Sequence, residues 1–203
     1  MSETHEASEP ALERFVFFSD AVFAIAITLL ALEIKPPDPG LNAGEAAWEA
    51  ALLHLTPSVL AFVLGFYVIG NIWTAHHEVF RLVRRFDSRL LAPNMLLLFA
   101  VVLVPVATAL MGTTTRAPAP YVVYSGVMLL AGLSKAWLTS RALRSELAPG
   151  APREEVIPIV RRSWLLPVAS ALALVLAFVT PAWNNTAMFL IAAGRLPWFR
   201  EKA

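Results

Sequence analysis

The sequence predicts an all-α integral membrane protein with six transmembrane helices per chain. Composition is the first observation behind this reading. Hydrophobic residues make up 58% of the 203 residues and charged residues 15%, with a mean hydropathy of +0.64. A soluble domain carries about 25% charged residues and needs that polar surface to cover itself. The second observation is a series of apolar segments, each near the ~20 residues that cross ~30 Å of hydrocarbon. The third is the placing of the basic residues, which fall in alternate connectors. A net charge of +1 points to neither nucleic acid nor an acidic tail. The absence of cysteine excludes disulfides, thiolate metal sites and Cys nucleophiles.

The whole chain, 1–203, reads as a single six-span domain. The first span covers 10–33. Glu3, Glu6, Glu9 and Glu13 precede its apolar run, which starts at Phe15, with only Arg14 basic, the reverse of a signal-peptide n-region. Ser8 and Pro10 mark its start, and the prolines at 36, 37 and 39 end it. The second span, 50–76, is interrupted by His54 and Pro57, and a connector rich in Arg81, Arg84, Arg85 and Arg89 follows. The third, 90–113, is uncharged, with Pro93 and Pro105 expected to kink it. The fourth covers 121–141, and a polar connector broken at Pro149-Gly150 leads to the fifth, 162–180. A hairpin at Thr180-Pro181 turns the chain into a sixth, 184–199, which contains Gly194, Arg195 and Pro197.

With the N-terminus inside, the inner side holds 14 basic residues and the outer side only Lys35 and Arg116. That split predicts a multi-pass protein of the cell membrane with both termini cytoplasmic.

The first span carries the informative residues. A carboxylate inside an apolar helix is costly unless paired, so Asp20 reads as functional or bundle-facing. At ~100° per residue, Ile25, Leu29 and Leu32 share a narrow face, with Phe18 and Val22 extending it and Thr28 on its shoulder. Asp20 lies about 140° from Ile25 and points toward neighbouring helices. Ala21, Ala24, Ala26 and Ala31 allow close backbone approach. Spacing alone describes a lipid- or core-facing stripe at least as well as a pore.

Arg14-Phe-Val-Phe-Phe18-Ser19-Asp20 has the Arg-x-x-x-Phe-Ser-Asp form of the transmembrane protein 175 family of potassium channels. The following Ala21–Lys35 stretch resembles its bacterial branch, as do Trp73-x-x-His76-His77-x-x-Phe80, Arg84-Arg85-Phe86-Asp87 and Asn94. The resemblance is close through the first three spans and general after Thr115. It implies a fold without a re-entrant pore loop, whose pore is lined by the first helix of each chain in a homotetramer. It further implies passive, potassium-preferring cation conduction. Ile25 matches the hydrophobic constriction, Leu29 and Leu32 match further apolar layers, and Thr28 matches a pore-facing hydroxyl linked to potassium preference. Beyond permeant K+, no cofactor, resident metal or nucleic-acid partner is implied.

An inner-end polar network is expected from Arg14, Phe18, Ser19 and Asp20, with His77 and Asn94 as partners from the second and third spans. Arg14 alone lies about 120° around the helix from Asp20 and leaves its charge in need of donors. Such a network locks helix packing, serves gating, or does both.

The remaining polar residues have plainer readings. His76-His77-Glu78 lacks the spacing of a metal-protease motif, and adjacent histidines diverge by about 100°. Lys135 is expected to snorkel to the inner surface. No phosphate loop or catalytic constellation stands out, so the chain is not read as an enzyme. A proton-coupled secondary transporter working through Asp20, and a non-conducting membrane scaffold, are the competing classes. Against the transporter stands the lack of an inverted repeat.

Overall fold

The computed structural model describes residues 8–40, 42–113 and 117–179. The described residues form seven α-helices and no strand: α1 (Ser8–Leu32), α2 (Glu45–His54), α3 (Thr56–Phe80), α4 (Leu91–Thr113), α5 (Pro118–Ala142), α6 (Arg153–Ser163) and α7 (Leu165–Val179). Five helical stretches are long and apolar enough to cross a bilayer: Pro10–Leu32, Glu45–Phe80, Ser88–Met111, Pro118–Ala142 and Arg153–Phe178. The expected sixth span, 184–199, lies outside the described residues.

Prolines explain most of the helix boundaries. Pro57 sits in the first turn of α3, and the single residue Leu55 separates α2 from α3. Pro93 falls in the first turn of α4, after a 3-10 turn at Ser88–Leu90 capped by Asp87 Oδ1 accepting from Arg89 N (2.7 Å). There its missing N–H costs no helical hydrogen bond, so Pro93 starts a helix and does not kink one. Pro105 lies inside α4.

The bundle is organised around α4 and α5, which pack along their lengths. On one side α4 also receives α1 and α3, which touch each other. On the other side α5 receives α7. Buried Leu97, Val101, Val104 and Ala107 of α4 meet Tyr124, Met128 and Ala131 of α5 in one continuous core. The α5–α7 seam is built from small residues: Ala169, Ser170, Ala173 and Ala177 line α7, and Gly132 faces them from α5. A Cβ at Gly132 would stand 2.6 Å from Pro167 N, so the two backbones approach as closely as only glycine permits.

The two arginine-rich connectors meet at one end of the bundle. Arg84 N and Arg85 N both donate to Leu147 O (2.8 and 3.2 Å), and Arg81 pairs with Glu155 at 2.9 Å. The second connector contains α6, with Glu154 and Glu155 in its first turn and Arg161 and Arg162 in its last. That polarity suits the helix dipole. Lys135 is 3% exposed, so it does not snorkel; it lines a crevice with Glu78, Thr139, Arg162 and Ser163. At helical spacing Lys135 shares the inward face of α5 with Met128, Ala131 and Leu138, which carries it into the bundle.

Candidate functional site

Helix α1 has two unlike faces. Phe15, Ser19, Phe23, Ala26 and Leu30, spaced by four, four, three and four residues, are buried against α3 and α4. The opposite face is uncovered within the chain. Phe18, Ile25, Leu29 and Leu32 are exposed there, as are Ala21, Ala24, Thr28 and Ala31. Ile25 is 58% and Leu32 74% exposed, comparable with Leu172 (60%) and Phe178 (70%) on the outer face of α7. The Thr28 hydroxyl donates to Ile25 O at 2.8 Å, which satisfies its proton and leaves its oxygen lone pairs facing out of the bundle.

The buried face is fixed by a three-residue polar chain. Ser19 Oγ donates to Phe15 O (2.9 Å) and accepts from Asn94 Nδ2 (2.9 Å). Asn94 Oδ1 in turn lies 3.0 Å from His76 Nε2. With its amide spent on Ser19, Asn94 offers only an acceptor, so the proton of this bond sits on His76 Nε2. Ser19, His76 and Asn94 are each at most 1% exposed, which makes every bond in the chain expensive to lose. The His76 ring is packed between Phe23 and Phe80, at centroid distances of 5.6 and 4.6 Å. This chain ties α1 to α3 and α4 at one point.

The structure revises the membership expected for this network. His77 is exposed and lies beside the Trp73 ring (6.0 Å); its neighbour His76 makes the bond to Asn94. The reason is helical phase: Ile69, Ile72, His76 and Val79 form the buried stripe of α3, and His77 is turned about 100° from it. Asn94 reaches Ser19 rather than Asp20. Asp20, half-buried, accepts from Trp73 Nε1 at 2.9 Å. Arg14 is exposed, and no ion pair joins it to Asp20. Phe18 is exposed on the uncovered face. His76 was the readable partner, since the spacing of Ile69, Ile72 and Val79 already places it inward; no spacing signal marked Trp73.

A family model described as the endosomal/lysosomal potassium channel TMEM175 matches residues 14–105, a segment that holds both faces of α1, all of α3 and the Ser19–Asn94–His76 chain. A potassium channel of Chamaesiphon minutus is 36% identical over 198 residues, covering 95% of this chain and 96% of its own. This chain belongs to the TMEM175 family. Another relative, a potassium channel of a Chryseobacterium species, is 32% identical over 133 residues, 66% of each chain. The crystal structure of a lysosomal potassium-selective channel TMEM175 homologue from Chamaesiphon minutus superposes with a TM-score of 0.81 at 33% identity, covering 96% of this chain and all of that one. TMEM175 relatives of this kind are ion channels, not enzymes.

Proposed function

We propose that this TMEM175 protein is a potassium channel of the cell membrane in which four copies surround one pore, each contributing the uncovered face of α1. The observation that carries this is the pairing of faces on α1. One side is locked by buried polar bonds, while the other leaves Ile25, Leu29 and Leu32 without cover inside the chain. Four such faces meeting on an axis would stack apolar rings, with Ile25 as the constriction. A ring of branched aliphatic side chains gates by dewetting, opening when it widens enough to admit water. Thr28 lies between Ile25 and Leu29 and would offer hydroxyl oxygens to an ion that has shed part of its hydration. The sequence contains no Thr-x-Gly-Tyr-Gly filter, so preference for K+ over Na+ rests on Thr28 and the ring geometry and is modest. Both termini are read as cytoplasmic, on the side of the arginine-rich connectors.

The test is cation flux from proteoliposomes holding the purified protein. K+ passes faster than Na+ without an imposed proton gradient. Flux that needs such a gradient would make the protein a coupled transporter, and no flux from intact oligomers a scaffold. Ile25→Asn wets the constriction, raising flux and relaxing the preference for K+. Unchanged flux in this variant would remove Ile25 from the pore.

A further inference from the structure

The seam between α5 and α7 has two sides, and the rest of the bundle covers one of them. Gly132 abuts Pro167, while Thr139 shares a crevice with Ile159 and Ser163, so the two helices run antiparallel. At 1.5 Å per residue that register sets Trp137 level with Arg161, at the arginine-rich end of the bundle. Trp164 joins α6 to α7 in a helical conformation, so one helical phase runs from Arg161 to Val168. Followed from Gly132 and Pro167 at ~100° per residue, Leu133 and Trp137 turn to the same side of the seam as Arg161, Trp164 and Val168. All five are exposed. Arg141 Cζ lies 5.6 Å from the centroid of the Trp137 ring, which draws its charge one turn back along α5, toward the depth of Arg161. No carboxylate pairs with Arg141 or Arg161 among the described residues. Glu155 is taken by Arg81, and Glu154 lies two turns beyond Arg161, further from the apolar part of α7.

We propose that this side of the α5–α7 seam binds an anionic phospholipid from the leaflet at the arginine-rich end. Its phosphate lies between Arg141 and Arg161, and an acyl chain runs along the seam over Leu133 and Val168. Charge complementarity argues for that occupant. Two guanidinium groups stand at one depth on neighbouring helices, and their planar forks suit phosphate oxygens. The ring beneath Arg141 takes the face of its guanidinium and leaves the N–H edge for an acceptor. Trp137 and Trp164 are the amphipathic rings that settle at headgroup depth, so the arginines beside them meet phosphate and not hydrocarbon. Beyond them the exposed stripe continues through Val168, Leu172 and Val175 of α7, where acyl chains are the natural cover. A zwitterionic headgroup adds an ammonium that opposes the two arginines, which selects an anionic lipid. The site rests on insertion in a membrane alone, not on the channel reading.

The test is a titration of the purified full chain in detergent, read by native mass spectrometry. Phosphatidylglycerol is compared with phosphatidylcholine carrying the same acyl chains, and binds the unaltered protein more tightly. Arg141→Gln combined with Arg161→Gln weakens phosphatidylglycerol binding about tenfold and leaves phosphatidylcholine unchanged. Arg161→Gln alone, at an exposed position outside the core, carries about threefold of that loss. Trp137→Leu, which keeps both arginines, also weakens phosphatidylglycerol about threefold. Arg84→Gln combined with Arg89→Gln removes the same charge from the connector before α4 and changes neither lipid. Equal binding of the two lipids overturns the site, as does phosphatidylglycerol retained in full by the Arg141 and Arg161 pair. A loss as large in the Arg84 and Arg89 pair overturns it too, and leaves only the general attraction of a basic surface for anionic lipid.

Discussion

Ser19 Oγ, both amide atoms of Asn94 and His76 Nε2 are buried and bonded to one another, while the other ring nitrogen, His76 Nδ1, is buried without a partner among the described residues. Truncating one member strands another, because a buried donor left without an acceptor costs about 1–3 kcal/mol. Within membranes the measured coupling between such groups averages ~0.6 kcal/mol and reaches ~1.7 kcal/mol. Asn94→Ala strands His76 Nε2 and withdraws a donor from Ser19, so it destabilises by about 1–2 kcal/mol. In a double-mutant cycle with His76→Ala, unfolding in detergent gives a coupling of about 0.5–1.5 kcal/mol. The same cycle drawn with His77→Ala gives none, since His77 does not touch Asn94. Asp20 obeys a different rule. Its carboxylate takes the Trp73 indole N–H, a bond an amide oxygen can also accept, so Asp20→Asn assembles normally. Asp20→Ala leaves Trp73 without that acceptor and lowers the yield of assembled protein on size-exclusion chromatography before it alters ion preference. Full assembly with Asp20→Ala would show that the Trp73 bond does not hold α1.

Helices differ in how plainly the sequence announces them. Uncharged stretches of bilayer length, as in α4, are legible from hydropathy alone, and α1 was legible with its motif. The α6 helix was not, because Pro152 and Pro158 and its charged ends carry the signals of a loop. It forms all the same. Pro152 stands just outside its first turn, and its charges follow the helix dipole. The candidate site was half legible: helical phase separates the Ile25 face of α1 from the Ser19 face. It could not decide which of two adjacent histidines meets Asn94 until the buried stripe of α3 was followed through Ile69, Ile72 and Val79. At this scale the most exacting contact is Gly132 of α5 against Pro167 of α7. A methyl group there meets backbone, not a flexible side-chain end, so the helices must part. Gly132→Ala therefore costs about 1–3 kcal/mol and lowers the melting temperature in detergent, despite the helix propensity of alanine. The same change at Gly126, where nothing lies within 4 Å, is neutral or mildly stabilising and serves as the control.

Of the apolar faces that the single chain leaves uncovered, the one on α1 would meet different surroundings in a monomer and in the proposed tetramer. In a monomer, Ile25 meets lipid, as Val175 of α7 does. In the proposed tetramer, four copies of Ile25 converge on the axis, while Val175, carried on the α5 side of the bundle away from α1 and α3, remains at the periphery. Because the sequence has no cysteine, a single introduced thiol reports on its position without background. Ile25→Cys places four thiols around the constriction, where thiolates bind a soft cation such as Cd2+. Micromolar Cd2+ then blocks K+ flux through Ile25→Cys and is reversed by a chelator, and oxidation links chains in pairs on a non-reducing gel. Val175→Cys shows neither response. Cd2+ block of both variants, or of neither, would place Ile25 in lipid and dissolve the four-chain pore, whereas block confined to Ile25→Cys ties the exposed face of α1 to the path the ion takes.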